Sequence, residues 1–350
     1  MPTWKATSRA CIPDAARPAH GTTSLTPITV ITVSVGLAVV VQVLFRARQA
    51  LLKTTLRSAW LWAMMAFVAW AAAWVSDHGL HVASKSLADH LWYGSAVLAL
   101  CPPIAVLGSR RPGTRVWTWF IQLPLLLVLG WPVLSLWLQG SELRGLQLET
   151  PQLVAYLLVL IMGAGNYCGT RFTLPAVGFA VACAFLAVSS SAACPMWLAN
   201  REASRMWSTG LLVVAVLLAS RSHDNSALKR DRFDQLWLDY FDTFGVVWGR
   251  RIQDRINFIA EQEGWLTRLE LHGFVWTDTA AVELADQPVA EEAASESQPS
   301  RATTTRAATE ARLEHTFRWL LRRFVDPPWI DQRLGSSPVA NEVGSHIADS

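Results

Sequence analysis

The chain has 350 residues, of which 52% are hydrophobic and only 16% charged, and its mean hydropathy is positive at +0.27. Ordinary soluble domains carry roughly 25% charged residues, so water is not the main solvent of this sequence. A formal net charge of +3, spread along the chain, leaves no basic patch for nucleic acid and excludes that partner class.

Charges are sparse from Thr26 to Ser220 and dense from Arg221 onward, which divides the chain into an apolar two-thirds and a polar third. The first 25 residues read as a flexible tail. A helix needs about 20 apolar residues to cross the hydrocarbon core, and seven runs follow in series: Thr26 to Phe45, Ser58 to Val75, Leu87 to Gly108, Val116 to Leu138, Pro151 to Cys168, Phe172 to Ala193 and Met206 to Ser220. The expected fold is therefore an all-α polytopic membrane protein with the lipid bilayer as its first partner. The last run is the weakest, with 15 residues between Arg205 and Arg221. The first run is expected to persist as a helix, because Arg46 and Arg48 follow it where a signal peptide would have a small-residue cleavage site.

Arg46, Arg48, Lys53 and Arg57, then Arg110, Arg111 and Arg115, then Arg171, and finally Arg221, Lys229, Arg230 and Arg232 lie in alternate loops. The positive-inside rule assigns those loops to the cytoplasm, with the N-terminus outside and the C-terminus inside. Lys5, Arg9 and Arg17 in the tail oppose that bias. Many of the 18 tryptophans lie near the ends of apolar runs, among them Trp60, Trp74, Trp92, Trp119 and Trp207, and read as interface anchors.

Ionisable residues are nearly absent inside the runs, so the bundle lacks the usual mark of an ion or proton pathway. Gln42, Gln122 and Asn166 are expected to hydrogen-bond between helices, Pro124 and Pro132 to kink the fourth span, and Gly165 and Gly169 to let two helices approach closely. The five cysteines have no metal or redox spacing; Cys11 and Cys194 fall on one side and a disulfide between them is conceivable.

One constellation carries chemistry. Asp77, His78 and His81 leave the second run, and Asp89 and His90 enter the third. Such groups at facing helix ends can bind a divalent metal, or haem between two imidazoles; the simpler reading is a set of wetted interfacial side chains. No cofactor is predicted.

In the polar third, Phe233, Leu236, Trp237, Tyr240, Phe241, Phe244 and Trp248 recur every three or four positions within residues 221–276, the stripe of an amphipathic helix that Gly264 should end. This stripe is a candidate face for a cytoplasmic protein partner or for self-association through residues 230–262; the simpler reading is that it packs on the second helix and on the cytoplasmic loops. Leu269 to Trp276 is either a short strand or a further turn. Residues 277–310 and 335–350 are expected to be disordered. Residues 311–334 hold a second helix, lined by Leu313, Phe317, Leu320, Leu321 and Phe324.

Topology alone resembles that of seven-helix receptors, but no residue motif of that group, no kinase or cyclase signature and no hydrolase motif is present. The functional expectation is a non-enzymatic membrane scaffold or sensor presenting a cytoplasmic helical module. The alternatives are a transporter or lipid-handling protein with an apolar cavity between its helices, and an enzyme built on the outer His and Asp cluster.

Overall fold

The computed structural model describes residues 27–78, 85–138, 146–191, 194, 195, 198, 200–222, 231–276 and 298–334. The N-terminal tail, His81, Cys11, residues 277–297 and the C-terminal residues 335–350 lie outside the described residues.

The described chain is helical apart from one β-hairpin. Five helical stretches are long and apolar enough to cross a bilayer: Ile28–Leu51, Arg57–His78, Ser86–Leu107, Thr118–Ser135 and Arg201–Ser222. They belong to α1 (Pro27–Leu51), α2 (Arg57–His78), α3 with α4 (Lys85–Ala99, Cys101–Leu107), α5 with the π-helical turn Thr118–Gln122 and α6 (Thr114–Trp117, Leu123–Leu138), and α9 (Arg201–Ser222). The fifth and sixth apolar runs form α7 (Thr150–Gly165) and α8 (Thr173–Ser189), of 16 and 17 residues. At 1.5 Å per residue these reach about 24–26 Å, short of a core of about 30 Å.

The weak member of the series is thus not the one the sequence singles out. The last run extends to 22 residues because the helix starts at Arg201, upstream of Arg205. Arg205 is a buried member of that helix and not its polar boundary. The fifth run instead stops early. After Gly165 the chain turns through residues 166–172, where Gly169 has φ +81° and the Thr170 and Thr173 hydroxyls both donate to the Tyr167 carbonyl, at 2.7 and 2.9 Å.

Large apolar side chains such as Ile31, Met65, Phe120, Leu158 and Trp207 remain exposed along these helices. In water such a surface would drive association; in lipid it costs nothing. The interior holds Trp70, Trp74, Trp92, Tyr93 and Tyr156, and the polar tips of Trp70, Trp92, Tyr93 and Tyr156 find partners. Tyr93 donates to the Leu129 carbonyl at 2.7 Å, Tyr156 to that of Ala96 at 3.1 Å, and Trp70 to Thr209 Oγ1 at 3.1 Å. Gln122 meets its expectation: Trp62 donates to its Oε1 at 3.1 Å and its Nε2 donates to the Cys101 carbonyl at 3.0 Å. Trp74 and Trp92 are core residues and not interface anchors, whereas Trp119 and Trp207 are largely exposed. Nor do Gly165 and Gly169 mediate packing, since a Cβ at either would meet nothing within 4 Å; the close contact is at Gly163, where it would lie 3.0 Å from Pro103.

The C-terminal third forms a module whose core also takes in Leu56, Ala59, Ala105 and Val106 of the bundle. α10 (Arg232–Glu263) carries the aromatic stripe and ends at Gly264 in the left-handed conformation. The undecided segment is a hairpin, β1 (Thr267–Glu270) antiparallel to β2 (Gly273–Trp276), with Leu269 opposite Phe274. α10 grips it through polar side chains: Gln253 and Asn257 both donate to the Leu269 carbonyl at 3.0 Å, and Asp234 accepts from the Phe274 amide at 2.7 Å. α11 (Gln298–Leu321) begins well before the expected start at Ala311, so residues 298–310 are helical where disorder was expected, and a short α12 (Pro327–Leu334) follows the Asp326-Pro-Pro break. Leu313, Phe317, Leu321, Phe324, Trp329 and Ile330 close over the stripe of α10.

Within that core the Tyr240 hydroxyl is buried without a hydrogen-bond partner among the described residues, and burial raises its phenol well above the usual range. Tyr240→Phe removes an unsatisfied polar atom and keeps the ring stacked on Phe244, 4.9 Å away. The substitution should raise stability by about 1 kcal/mol in thermal unfolding; a lower melting temperature would show that the hydroxyl is bonded.

Candidate functional site

Two polar assemblies stand at opposite ends of the bundle. At one, the end of α2 and the start of α3 bring Asp77 and Asp89 together, as the sequence suggests, but their partners are arginines from α9. Arg205 pairs with Asp77 at 2.9 Å and with Asp89, and Arg201 pairs with Asp89 while donating to the Leu146 carbonyl at 3.1 Å. Trp92 adds a bond from its indole N–H to Asp77 at 3.1 Å, and the Arg205 guanidinium lies 5.8 Å from the Trp92 ring centroid. Two carboxylates and two guanidiniums thus tie α2, α3 and α9 into one corner.

The histidines beside them are also engaged. His78 stacks on Trp74 with centroids 4.1 Å apart, and its Nδ1 lies 3.2 Å from the Trp74 carbonyl. His90 is buried with Nδ1 2.5 Å from the Ser86 carbonyl. A carbonyl only accepts, so Nδ1 is the donor in both contacts. The Nε2 of His90 is buried and has no hydrogen-bond partner among the described residues. Among the described residues no group of three or more His, Cys, Asp or Glu side chains is placed to hold a metal ion. The metal reading of Asp77, His78, His81, His90 and Asp89 loses its carboxylates, because a cation there would displace or face two guanidiniums. Nothing local in the sequence pairs Arg201 and Arg205 with Asp77 and Asp89; their opposite charge is the available signal.

At the other end the module docks on three loops of the bundle. The decisive contact is at Asn166, just past α7. Its carbonyl accepts from the Val246 amide at 2.7 Å, its Oδ1 from the Val247 amide at 3.0 Å, and its Nδ2 donates to the Phe244 carbonyl at 3.1 Å. These bonds are possible because α10 breaks at Gly245, whose φ of 79° and ψ of −179° free the backbone groups on either side. This backbone region is essentially closed to other residues, and a Cβ there would overlap Asn166. The Asn166 expectation is corrected accordingly: it bonds the module and not a neighbouring span.

Around this pin, Arg171 ion-pairs with Asp242 at 3.2 Å, and Asp239 holds Arg333 of α12 at 2.8 Å. Burial lowers the Arg333 pKa, an effect that Asp239 opposes. The Trp248 indole donates to the Val106 carbonyl at 3.1 Å. The segment after α11 lies along the loops at 53–55 and 111: Thr55 N–H donates to the Phe324 carbonyl at 2.8 Å, Asp326 N–H to that of Lys53 at 2.8 Å, and Arg111 N–H to that of Arg323 at 2.9 Å.

No protein-family model, curated protein or solved structure matches this chain. The reading of its sites therefore rests on geometry. That geometry also corrects the expected partner face. Phe233, Trp237, Tyr240 and Phe244 are fully buried, and Phe241 and Trp248 nearly so, against α11, α12 and the hairpin. Each such side chain contributes about 1.5–3 kcal/mol by leaving water, so the chain covers its own stripe.

Proposed function

We propose that this chain is a seven-span membrane protein, N-terminus outside and C-terminus in the cytoplasm, that acts as a non-enzymatic scaffold or sensor built on a docked cytoplasmic module. The observation that carries the reading is the three-point hold of Asn166 on the backbone at Gly245, supported by the loops at 53–55 and 106–111. Those loops are the arginine-bearing ones, so the module and the positive loops share one end, and the start of α1 lies at the other. α7 and α8 cross in this reading with a locally thinned bilayer or flanking side chains that reach the interface. A partner protein meets the outer surface of the module, where Phe258 and Val275 are about half exposed, and not the aromatic stripe.

The transporter alternative needs an apolar cavity between the spans. The cleft described below lies at the junction of bundle and module and is lined with arginine, which favours the scaffold or sensor.

Single-cysteine variants in a cysteine-free background test the topology in intact cells. Gln147→Cys, in the outer connection before α7, should react with an impermeant maleimide at once, and Arg268→Cys, on the hairpin, only after the membrane is opened. Labelling of Arg268→Cys in sealed cells would refute the orientation. Removing residues 231–334 should also abolish cross-linking to partners that the full chain captures, and an unchanged cross-linking pattern would refute the scaffold role.

A further inference from the structure

A cleft of about 1170 Å³ opens where the module meets the bundle, between the loop after α4, the start of the fourth span, α7, the middle of α10 and the end of α11. Its lining contains five arginines, Arg110, Arg111, Arg251, Arg322 and Arg323, and no acidic residue. Arg111 is held by Asp326 at 2.6 Å. The other four are exposed, and none has an ion pair among the described residues. Aromatic rings position three of them without neutralising them: Arg251 lies 4.8 Å from the Trp248 centroid, and Arg322 and Arg323 each lie 5.9 Å from that of Trp319.

The opposite wall is apolar. Trp117 is fixed by a bond from its indole to the Ile104 carbonyl at 3.1 Å. Its ring packs so tightly on Gly108 that a Cβ there would overlap it. Met162 of α7 and Val247 of α10 are partly open beside it. Trp117 and Met162 belong to apolar helices, whereas Arg110 sits in the loop just beyond them. The cleft therefore straddles the level at which hydrocarbon gives way to headgroups.

We propose that this cleft binds an anionic phospholipid of the inner leaflet, its phosphate among Arg110, Arg251, Arg322 and Arg323 and an acyl chain along Trp117 and Met162. Guanidinium forks match phosphate oxygens, and basic pockets beside membrane helices on the cytoplasmic side are suited to anionic headgroups. A soluble phosphate would leave the apolar wall unused, and a neutral lipid would leave the arginines unneutralised. Because the walls come from both the bundle and the module, the lipid cements the junction. The inference deepens the scaffold reading and rests on it for the leaflet, but not for the binding itself.

The test uses the full chain in neutral-detergent micelles, so that orientation does not enter. It is titrated with dioctanoyl phosphatidylglycerol, dioctanoyl phosphatidylcholine and glycerol 3-phosphate, with binding read by native mass spectrometry. The anionic lipid should bind saturably, one per chain, and more weakly as salt rises. Each arginine removed should weaken binding about fivefold, so R251Q/R322Q/R323Q loses about a hundredfold. Met162→Trp fills the apolar wall at constant charge and should weaken binding about tenfold. Elution volume and melting temperature confirm that both variants are folded, and R251K/R322K/R323K should retain most of the affinity. Wild-type binding by the triple glutamine variant, equal binding of phosphatidylcholine, or competition by glycerol 3-phosphate as strong as that of the lipid would each overturn the proposal. Cysteine labelling reports the topology independently, so a failure of the lipid site and a failure of the orientation are distinguishable.

Discussion

Gly245→Ala should release the C-terminal module from the bundle while leaving most of the module folded. A methyl at this position meets two penalties together. The backbone occupies a region closed to L side chains, which costs of order 1–3 kcal/mol, and the Cβ overlaps Asn166, which adds packing strain of about 1–3 kcal/mol. Relief comes by straightening α10, and that pulls the Val246 and Val247 amides away from Asn166. Hydrogen exchange in micelles should show these two amides exchanging about tenfold faster or more, with protection retained at Leu236 and in the β1–β2 hairpin. Gly264→Ala provides the control. It also has positive φ, 65°, but a Cβ there meets nothing within 4 Å, so it should cost about 1 kcal/mol and leave the Asn166 contact intact. Native exchange at Val246 in Gly245→Ala would refute the pin.

Arg205→Gln should be the most damaging single change in the corner that joins α2, α3 and α9. Arg205 is 9% exposed and serves Asp77 and Asp89 together. Removing one member of a buried ionic group leaves charge without compensation, at a cost of about 3–5 kcal/mol. Asp77 loses its guanidinium partner and keeps only the Trp92 indole, whereas Asp89 retains Arg201. The substitution should lower the melting temperature sharply, and adding Asp77→Asn should recover part of the loss because the orphaned charge is then gone. Arg201→Gln should be milder, since Arg201 is the more exposed of the two guanidiniums, at 33% against 11% of its side chain. Additive losses in the Arg205→Gln/Asp77→Asn pair would show that the two residues do not interact.

The candidate sites were legible in unequal measure. Asp77 and Asp89 were visible as a pair because helix ends joined by a short connection must return to the same membrane face. Arg201 and Arg205 are separated from them by more than a hundred residues, and no local pattern announces which loop charges meet. Asn166 looked like an interhelical bond because amides inside apolar runs usually are; its true partner is a backbone break in α10. The one hint was a glycine in the middle of an aromatic stripe. The arginine cleft was not legible in the sequence, since Arg110, Arg251 and Arg322 come from three separate elements.

The sequence by itself determined that the chain has lipid-length apolar helices, because hydrocarbon satisfies no backbone polar group and a long apolar run can then exist only as a helix with its bonds closed internally. It also determined α10 and its stop at Gly264, since a period near 3.6 and a residue free to take positive φ are local properties. Tertiary structure alone decided what the stripe packs against, which helices are short, and which charges pair. Burial of an aromatic face is indifferent to the identity of its cover, and an ion pair depends on distance in space, which separation along the chain does not encode.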